Sequence, residues 1–255
     1  MTINQAFTIL SNAGGIRAAR IITENTKKLS RFKVLRMARQ LRRGMPVAKI
    51  IHKKWFYGMG FYTNRYTLDP RPDTETLVSA AIADAGNGIR ILDLGTGTGC
   101  IIAACVNNIP GASGIGIDKS WRACRVAKKN IRAHNITSRI EIRRRSFSSQ
   151  RGFGEKFDVI VSNPPYIARG DARVDIGAGY DPRMALYAGD NGRSAYREIA
   201  KNARRWIKPD GRMYTEIGID MGPDIREIFA EYGWQFIRAE SDLGGIERVL
   251  VFSYR

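Results

Sequence analysis

The chain has 255 residues, 44% of them hydrophobic, enough for one large folded domain with an appendage or for two modest domains. No apolar run approaches the ~18 residues needed to span a bilayer, which argues against a membrane protein. Three cysteines (Cys100, Cys105, Cys124) and two histidines (His52, His134) show no metal-ligand spacing, so no metal is expected, only buried thiols in a reducing compartment.

The formal net charge is +18, and residues 1–60 carry 13 Lys/Arg against Glu24 alone. Such an excess suits polyanion partners, nucleic acid or a ribosome, through phosphate neutralisation. Solvated helix faces in a basic chain are the plainer reading. An Arg-rich, acid-poor start is also the composition of an organelle transit peptide. Against that, Phe32, Leu35, Met37, Ala38 and Leu41 recur at helical spacing in "RFKVLRMARQL", which implies a face to bury. Residues 1–45 are therefore read as a small basic helical domain of two or three short helices, punctuated by Gly14-Gly15.

Residues 46–70, rich in aromatics and β-formers and broken by Gly58 and Gly60, read as a linker with a short hairpin. The catalytic domain is expected over 71–255. It opens with a helix in "DPRPDTETLVSAAIADA": Pro72 and Asp73-Thr74-Glu75 suit the first turn, and Leu77, Val78, Ala81 and Ile82 follow at helical spacing. Strands are expected at 89–94, 114–118, 139–143, 157–162, 211–217, 234–239 and 247–253, and helices at 99–107, 120–133, 193–206 and 223–232. Strands separated by helices imply crossovers and a mainly parallel, doubly covered sheet. Only "AESDLGGI" joins the last two strands, so they should pair antiparallel. The expected fold is α/β: a Rossmann-like, mainly parallel seven-stranded sheet with an antiparallel C-terminal hairpin.

"ILDLGTGTGC" follows the first of these strands and opens a helix. Gly95, Gly97 and Gly99 allow a sharp turn and close approach to a ligand, with helix N–H groups aimed at it. The spacing is G-x-G-x-G, not the G-x-G-x-x-G of dinucleotide sites, because position 100 is Cys. Asp93, just ahead of the glycines, is unwelcome beside a pyrophosphate but useful beside an amine or a sulfonium. Asp118 ends the second strand, where an acid accepts hydrogen bonds from ribose hydroxyls. Together these residues favour S-adenosylmethionine over NAD, with the turn holding the methionine part.

"FDVIVSNPPY" ends the fourth strand in a rigid corner, because two prolines cannot continue a central strand. Ligands of such sheets bind off the carboxyl ends of the strands. Planar nitrogens of low basicity need acceptors for their N–H groups and a flat surface for their faces. The Asn163 carboxamide and the Pro164 carbonyl offer acceptors, Tyr166 offers a ring, and Pro164-Pro165 hold them rigid.

Taken together, these stretches resemble a known family. "DLGTGTG", "NPPY", "RPDTETLV", "YDPRMALYAGDNG", "TEIG" and "DLGGIERVLVF" occur in the order found in the peptide chain release factor N5-glutamine methyltransferases, the HemK/PrmC type. The resemblance covers roughly residues 44–253. It implies that Asp93, Gly95, Thr96, Gly97, Thr98, Gly99, Asp118, Phe147 and Asn163 bind S-adenosylmethionine, and that Asn163, Pro164, Pro165 and Tyr166 hold the glutamine of a Gly-Gly-Gln tripeptide in class 1 release factors. Asn163, Pro164 and Tyr166 would then be the catalytic set. Ser146-Phe147 stands where the family has an acid followed by an aromatic near the adenine, and Lys49 and His52 stand where it usually has Tyr and Gly. A cytoplasmic monomer is expected, or an organellar one if the N-terminus is a transit peptide, with the basic N-terminus offering a ribosome or RNA contact. The alternatives are an amino methyltransferase acting on a flipped DNA or ribosomal RNA base, a glutamine methyltransferase of a ribosomal protein, and a binding module without chemistry.

Overall fold

The computed structural model describes residues 1–168, 170 and 176–254. Its N-terminal segment is α1 (Ile3–Asn25), kinked at Gly15, and α2 (Arg31–Arg42). Thr2 and Gln5 close a reciprocal capping box on α1, and the Ser30 hydroxyl caps α2. The buried face of α2 is Val34, Met37 and Ala38, with half-buried Leu41 beside them. These meet Ala6, Leu10, Ala19 and Ile22 of α1. Phe32 and Leu35, expected in that face, are instead 79% and 50% exposed. The i, i+3, i+4, i+7 set that includes Val34 faces the partner helices, and it leaves Phe32 and Leu35 on the far side.

Residues 46–70 hold more than the expected hairpin. A short helix α3 (Val47–Ile51) adds Ile50 to the helical core before β1 (Lys53–Phe56) and β2 (Met59–Tyr62) pair antiparallel.

Helix α4 (Thr74–Ala83) leads into the main sheet. Its strands are β3 (Arg90–Leu94), β4 (Ser113–Asp118), β5 (Ile140–Arg144), β6 (Phe157–Ser162), β7 (Ile207–Glu216), β8 (Gln235–Ser241) and β9 (Glu247–Ser253). The order is β5-β4-β3-β6-β7-β9-β8, parallel except for the two pairs made by β9. The connecting helices are α5 (Cys100–Asn108), α6 (Trp121–Ala133), α7 (Arg183–Leu186), α8 (Ser194–Ala203) and α9 (Gly222–Glu231). All seven expected strands are present. β7 starts four residues early, because Ile207 already pairs with Phe157, and a register shift absorbs the residues before Arg212.

Alternation along the strands builds two cores. Ile91, Val159, Val161 and Tyr214 face α4, α5 and α6, while Leu92, Leu94, Ile160 and Met213 face α8 and α9. The chain runs outward from β3 to β5 and then returns to β6 beside β3, so the order reverses between β3 and β6. A crevice opens beyond the carboxyl ends at such a reversal. Among the described residues no helix is long and apolar enough to cross a membrane, and no cluster of His, Cys, Asp or Glu suits a metal ion. The three cysteines are buried and unpaired, and burial pushes the Cys100 and Cys124 thiols up to about 12 and about 11.

Candidate active site

The register between β3 and β6 brings the two motifs together. Leu94 pairs with Ser162, whose hydroxyl donates to the Leu94 carbonyl at 2.8 Å. The next residues, Gly95 and Asn163, therefore leave the sheet side by side.

The glycine turn is built from beneath. Asp93 shares the strand face of Ile91, so it lies wholly buried under α5, and its carboxylate accepts from the Thr96 hydroxyl at 2.6 Å. Burial pushes that carboxyl up to about 7, opposed by the Thr96 hydroxyl and the Ile102 amide. Thr96 and Thr98 are buried too. Gly99 combines a φ of +80° with a tight seat: a Cβ there would meet that of Ala127 at 3.3 Å. Asp93, Thr96, Thr98 and Gly99 shape the turn from below and line neither of the two cavities described next.

The surface side of the turn lines a narrow channel with Asp118, Ser120, Phe147, Asn163 and Pro165. Asp118 oxygens accept from the Gly97 amide at 3.1 Å and the Ser120 amide at 2.8 Å, which fixes the carboxylate at the end of β4. Burial raises the Asp118 carboxyl, and those two amides and Lys119 oppose the rise. Half-buried Phe147 presents a ring along the same channel. A strand-end carboxylate acceptor and a ring suit the ribose hydroxyls and base of a nucleoside. The channel's volume of about 90 Å³ is below the ~300 Å³ usual for ligand sites. Pro182, Met184 and Ala185 are the wall that narrows it.

Asn163 also lines a second cavity of about 480 Å³, with Pro164, Tyr166, Glu216, Asp73 and Arg248. The Asn163 amide group donates to the Thr74 hydroxyl at 3.0 Å, which leaves its carbonyl end for the cavity side. The Tyr166 hydroxyl lies 3.4 Å from the Glu216 carboxylate, and burial raises the phenol well above its ordinary value, so it stays neutral. The tyrosine backbone is equally confined: a Cβ on Gly192, itself at φ +91°, would fall 2.2 Å from the Tyr166 carbonyl oxygen. That contact gives "AGDNG" its physical reason.

Sequence reasoning did not single out Asn130, and it assigned no site role to Glu216 or Arg248. Glu216 and Arg248 entered only as members of the "TEIG" and "DLGGIERVLVF" stretches, with no role of their own. Asn130 sits on the buried face of α6, where its amide donates to the Thr98 carbonyl at 2.8 Å and the Tyr62 carbonyl at 3.0 Å. Its carbonyl accepts from the Tyr62 amide at 2.8 Å, so one side chain joins hairpin and glycine turn.

The methyltransferase small domain family (MTS) matches residues 70–180. A release factor glutamine methyltransferase of Agrobacterium fabrum is 41% identical over 224 residues, spanning 82% of this chain and 74% of that one. A bifunctional methyltransferase of Rickettsia typhi is 36% identical over 231 residues, and the match spans 82% of this chain and 44% of that longer protein. Among solved structures, a methyltransferase from Pyrococcus furiosus shares the fold with a TM-score of 0.58 at 18% identity, covering 86% of this chain and 98% of that one. With its glycine turn, its strand-end acid and its "NPPY" corner on one crevice, the chain belongs to the release factor glutamine methyltransferase family, enzymes whose methyl donor is S-adenosylmethionine.

Proposed function

We propose that this protein methylates the side-chain amide nitrogen of the glutamine in the Gly-Gly-Gln tripeptide of class 1 release factors. The observation that carries the reading is the Asn163 carboxamide at the junction of the two cavities, its amide group taken by Thr74 and its carbonyl left for a substrate N–H. S-adenosylmethionine, when bound, supplies an electrophilic methyl carbon on a sulfonium. Gly95, Gly97, Asp118 and Phe147 hold the donor in the channel, above the turn that Asp93, Thr96, Thr98 and Gly99 shape. The Asn163 and Pro164 carbonyls accept the glutamine N–H groups, which turns the nitrogen toward the channel. Pro165 and the neutral Tyr166 ring confine the flat amide. As the N–C bond forms and the S–C bond breaks, the amide loses one proton to solvent, so no strong base is needed. The catalytic unit is read as residues 71–255, with residues 1–45 as a small basic helical unit beside it.

The test is incubation with labelled S-adenosylmethionine and a release factor, the same factor with Gln→Ala in its tripeptide, ribosomal RNA or DNA. One added methylene on the tripeptide glutamine, found by mass spectrometry, is the expected result. Label on nucleic acid and none on the factor would overturn the reading.

A further inference from the structure

We propose that the outer face of the β1–β2 hairpin and of α6 is a docking platform for single-stranded RNA, apart from the basic N-terminal helices. Residues 119–134 carry six Lys/Arg and residues 52–68 carry three, with no Asp or Glu in either stretch. On α6 the exposed Arg122, Arg125, Lys129 and Arg132 recur at i, i+3, i+7 and i+10. They form one stripe, about 15 Å long, opposite the buried Ala123, Ala127 and Ile131. In the hairpin Lys53 pairs with Tyr62 and Trp55 with Gly60, so Lys53, Trp55 and Tyr62 share the outer face while Phe56 and Phe61 turn into the core. The Asn130 side chain fastens the hairpin to α6 through both backbone polar groups of Tyr62, which makes the two faces one surface.

Cations and rings alternate across that surface. The Lys129 ammonium lies 3.4 Å from the centre of the Tyr62 ring, and the Arg122 guanidinium lies 4.7 Å from that of Tyr66 and 5.3 Å from that of Trp121. Arg125 also approaches Trp121, at 5.6 Å, Arg65 lies 4.9 Å from Tyr66, and Lys53 lies 4.3 Å from Trp55. Trp55 and Trp121 nevertheless stay 61% and 47% exposed. Among the described residues none of these five cations forms an ion pair. A merely solvated basic face does not call for exposed indoles among its charges. A single strand engages both kinds of group: its phosphates meet the cations, and its bases stack on rings and on guanidinium planes. An acidic peptide would engage the cations alone, and a lipid surface would need an apolar face to insert. The α6 stripe matches about four stacked nucleotides at ~3.4 Å each. Tyr66 also lines the donor channel, so the platform reaches the candidate active site. A release factor works on the ribosome, which makes RNA the strand within reach, and that choice of strand rests on the function proposed above.

The experiment is fluorescence anisotropy of the full chain with a labelled single-stranded RNA of about 12 nucleotides, titrated at several salt concentrations. Circular dichroism checks that each variant is folded. Trp121→Ala should weaken binding roughly 5- to 150-fold and leave the salt dependence unchanged, because it removes stacking and no charge. The double variant Arg122→Gln/Arg125→Gln should weaken binding and flatten the slope of log affinity against log salt by about 1.4, roughly 0.7 for each lost phosphate contact. Arg36→Gln/Arg39→Gln removes the same charge from exposed positions on α2 and should bind within about twofold of wild type. If that pair loses as much as the α6 pair, or if Trp121→Ala binds like wild type, the attraction is net charge alone and the proposal is overturned. DNA of the same sequence, phosphatidylserine vesicles and polyglutamate serve as competitors. Any of them bound more tightly than the RNA would assign the surface to that partner and overturn the proposal. RNA binding needs neither the tripeptide nor the donor, so a protein that binds RNA in this pattern yet methylates no release factor loses the substrate reading and keeps the platform.

Discussion

The Lys49 ammonium lies 2.7 Å from the Asp181 carboxylate, with side chains only 4% and 2% exposed. Lys49 comes from α3, while Asp181 immediately precedes the wall, Pro182 to Leu186, that lines both cavities. The same ammonium meets Asp69 at 2.8 Å and the Thr67 carbonyl at 2.6 Å, and Arg71 takes the other Asp181 oxygen at 2.7 Å. A single buried cation thus joins α3, the segment after the hairpin and the wall of the site. Burial raises the Asp181 carboxyl, and Lys49 and Arg71 counter it.

Lys49→Met would leave two carboxylates buried with only Arg71 as counter-charge. Stranding buried charge costs roughly 3–5 kcal/mol, more than the pair itself contributes. Urea denaturation should show a loss of that size. A loss below about 1 kcal/mol would mean that water reaches the cluster and that the cation does not hold the wall.

Asp118→Asn tests the cofactor assignment. The amide keeps the shape and one acceptor for the Gly97 and Ser120 amides but loses the second acceptor and the charge. Calorimetry should show roughly 10-fold or greater loss of S-adenosylmethionine affinity, the cost of one charged hydrogen bond of about 1.5–3 kcal/mol. Unchanged affinity would remove Asp118 from the ribose.

What could be read from the sequence follows from what is local. The strands appear as short apolar runs, the glycine turn as positive-φ positions beside an apolar helix, and the "NPPY" corner as prolines closing a strand. Each is a pattern within ten residues. Neither Lys49–Asp181 nor Asn130–Tyr62 is local, and nothing in either neighbourhood marks the partner. Phe32 and Leu35 failed differently. Helical period predicts a stripe, and two stripes were present in α2, but only packing against α1 chooses between them.

Asp93 and Glu216 predict how stability depends on pH. Both carboxyls sit at about 7 when folded, above their ordinary values near 4, so the folded chain holds protons that the unfolded chain has released. Their stability contribution is present at low pH and is lost as pH rises through the interval up to 7. Each group contributes roughly 1.4 kcal/mol for every pH unit separating its folded from its unfolded titration, so across the whole interval the two together come to several kcal/mol. Asp84, Asp158 and Asp242, all lowered, change below about pH 4 and leave this window flat. Melting temperatures from pH 5.5 to 8 should fall more steeply in wild type than in Asp93→Asn or Glu216→Gln. Equal slopes would show that neither carboxyl titrates there.

Asn130 yields the sharpest ordering among substitutions. Its amide satisfies two carbonyls and one amide at once, on Thr98 and Tyr62. Asn130→Ala leaves those groups without their partner, at about 1–3 kcal/mol for each orphaned polar group that water cannot reach. Asn130→Asp is nearly the same shape yet sets a carboxylate against the two carbonyls, so it should be the less stable variant despite filling the space. Because the Thr98 carbonyl belongs to the glycine turn, both variants should also weaken S-adenosylmethionine binding, whereas a purely hairpin role would spare it. Denaturation in urea, with donor affinity measured on the same samples, gives both readings. If the aspartate variant proves as stable as wild type, the three hydrogen bonds do not tie hairpin to turn.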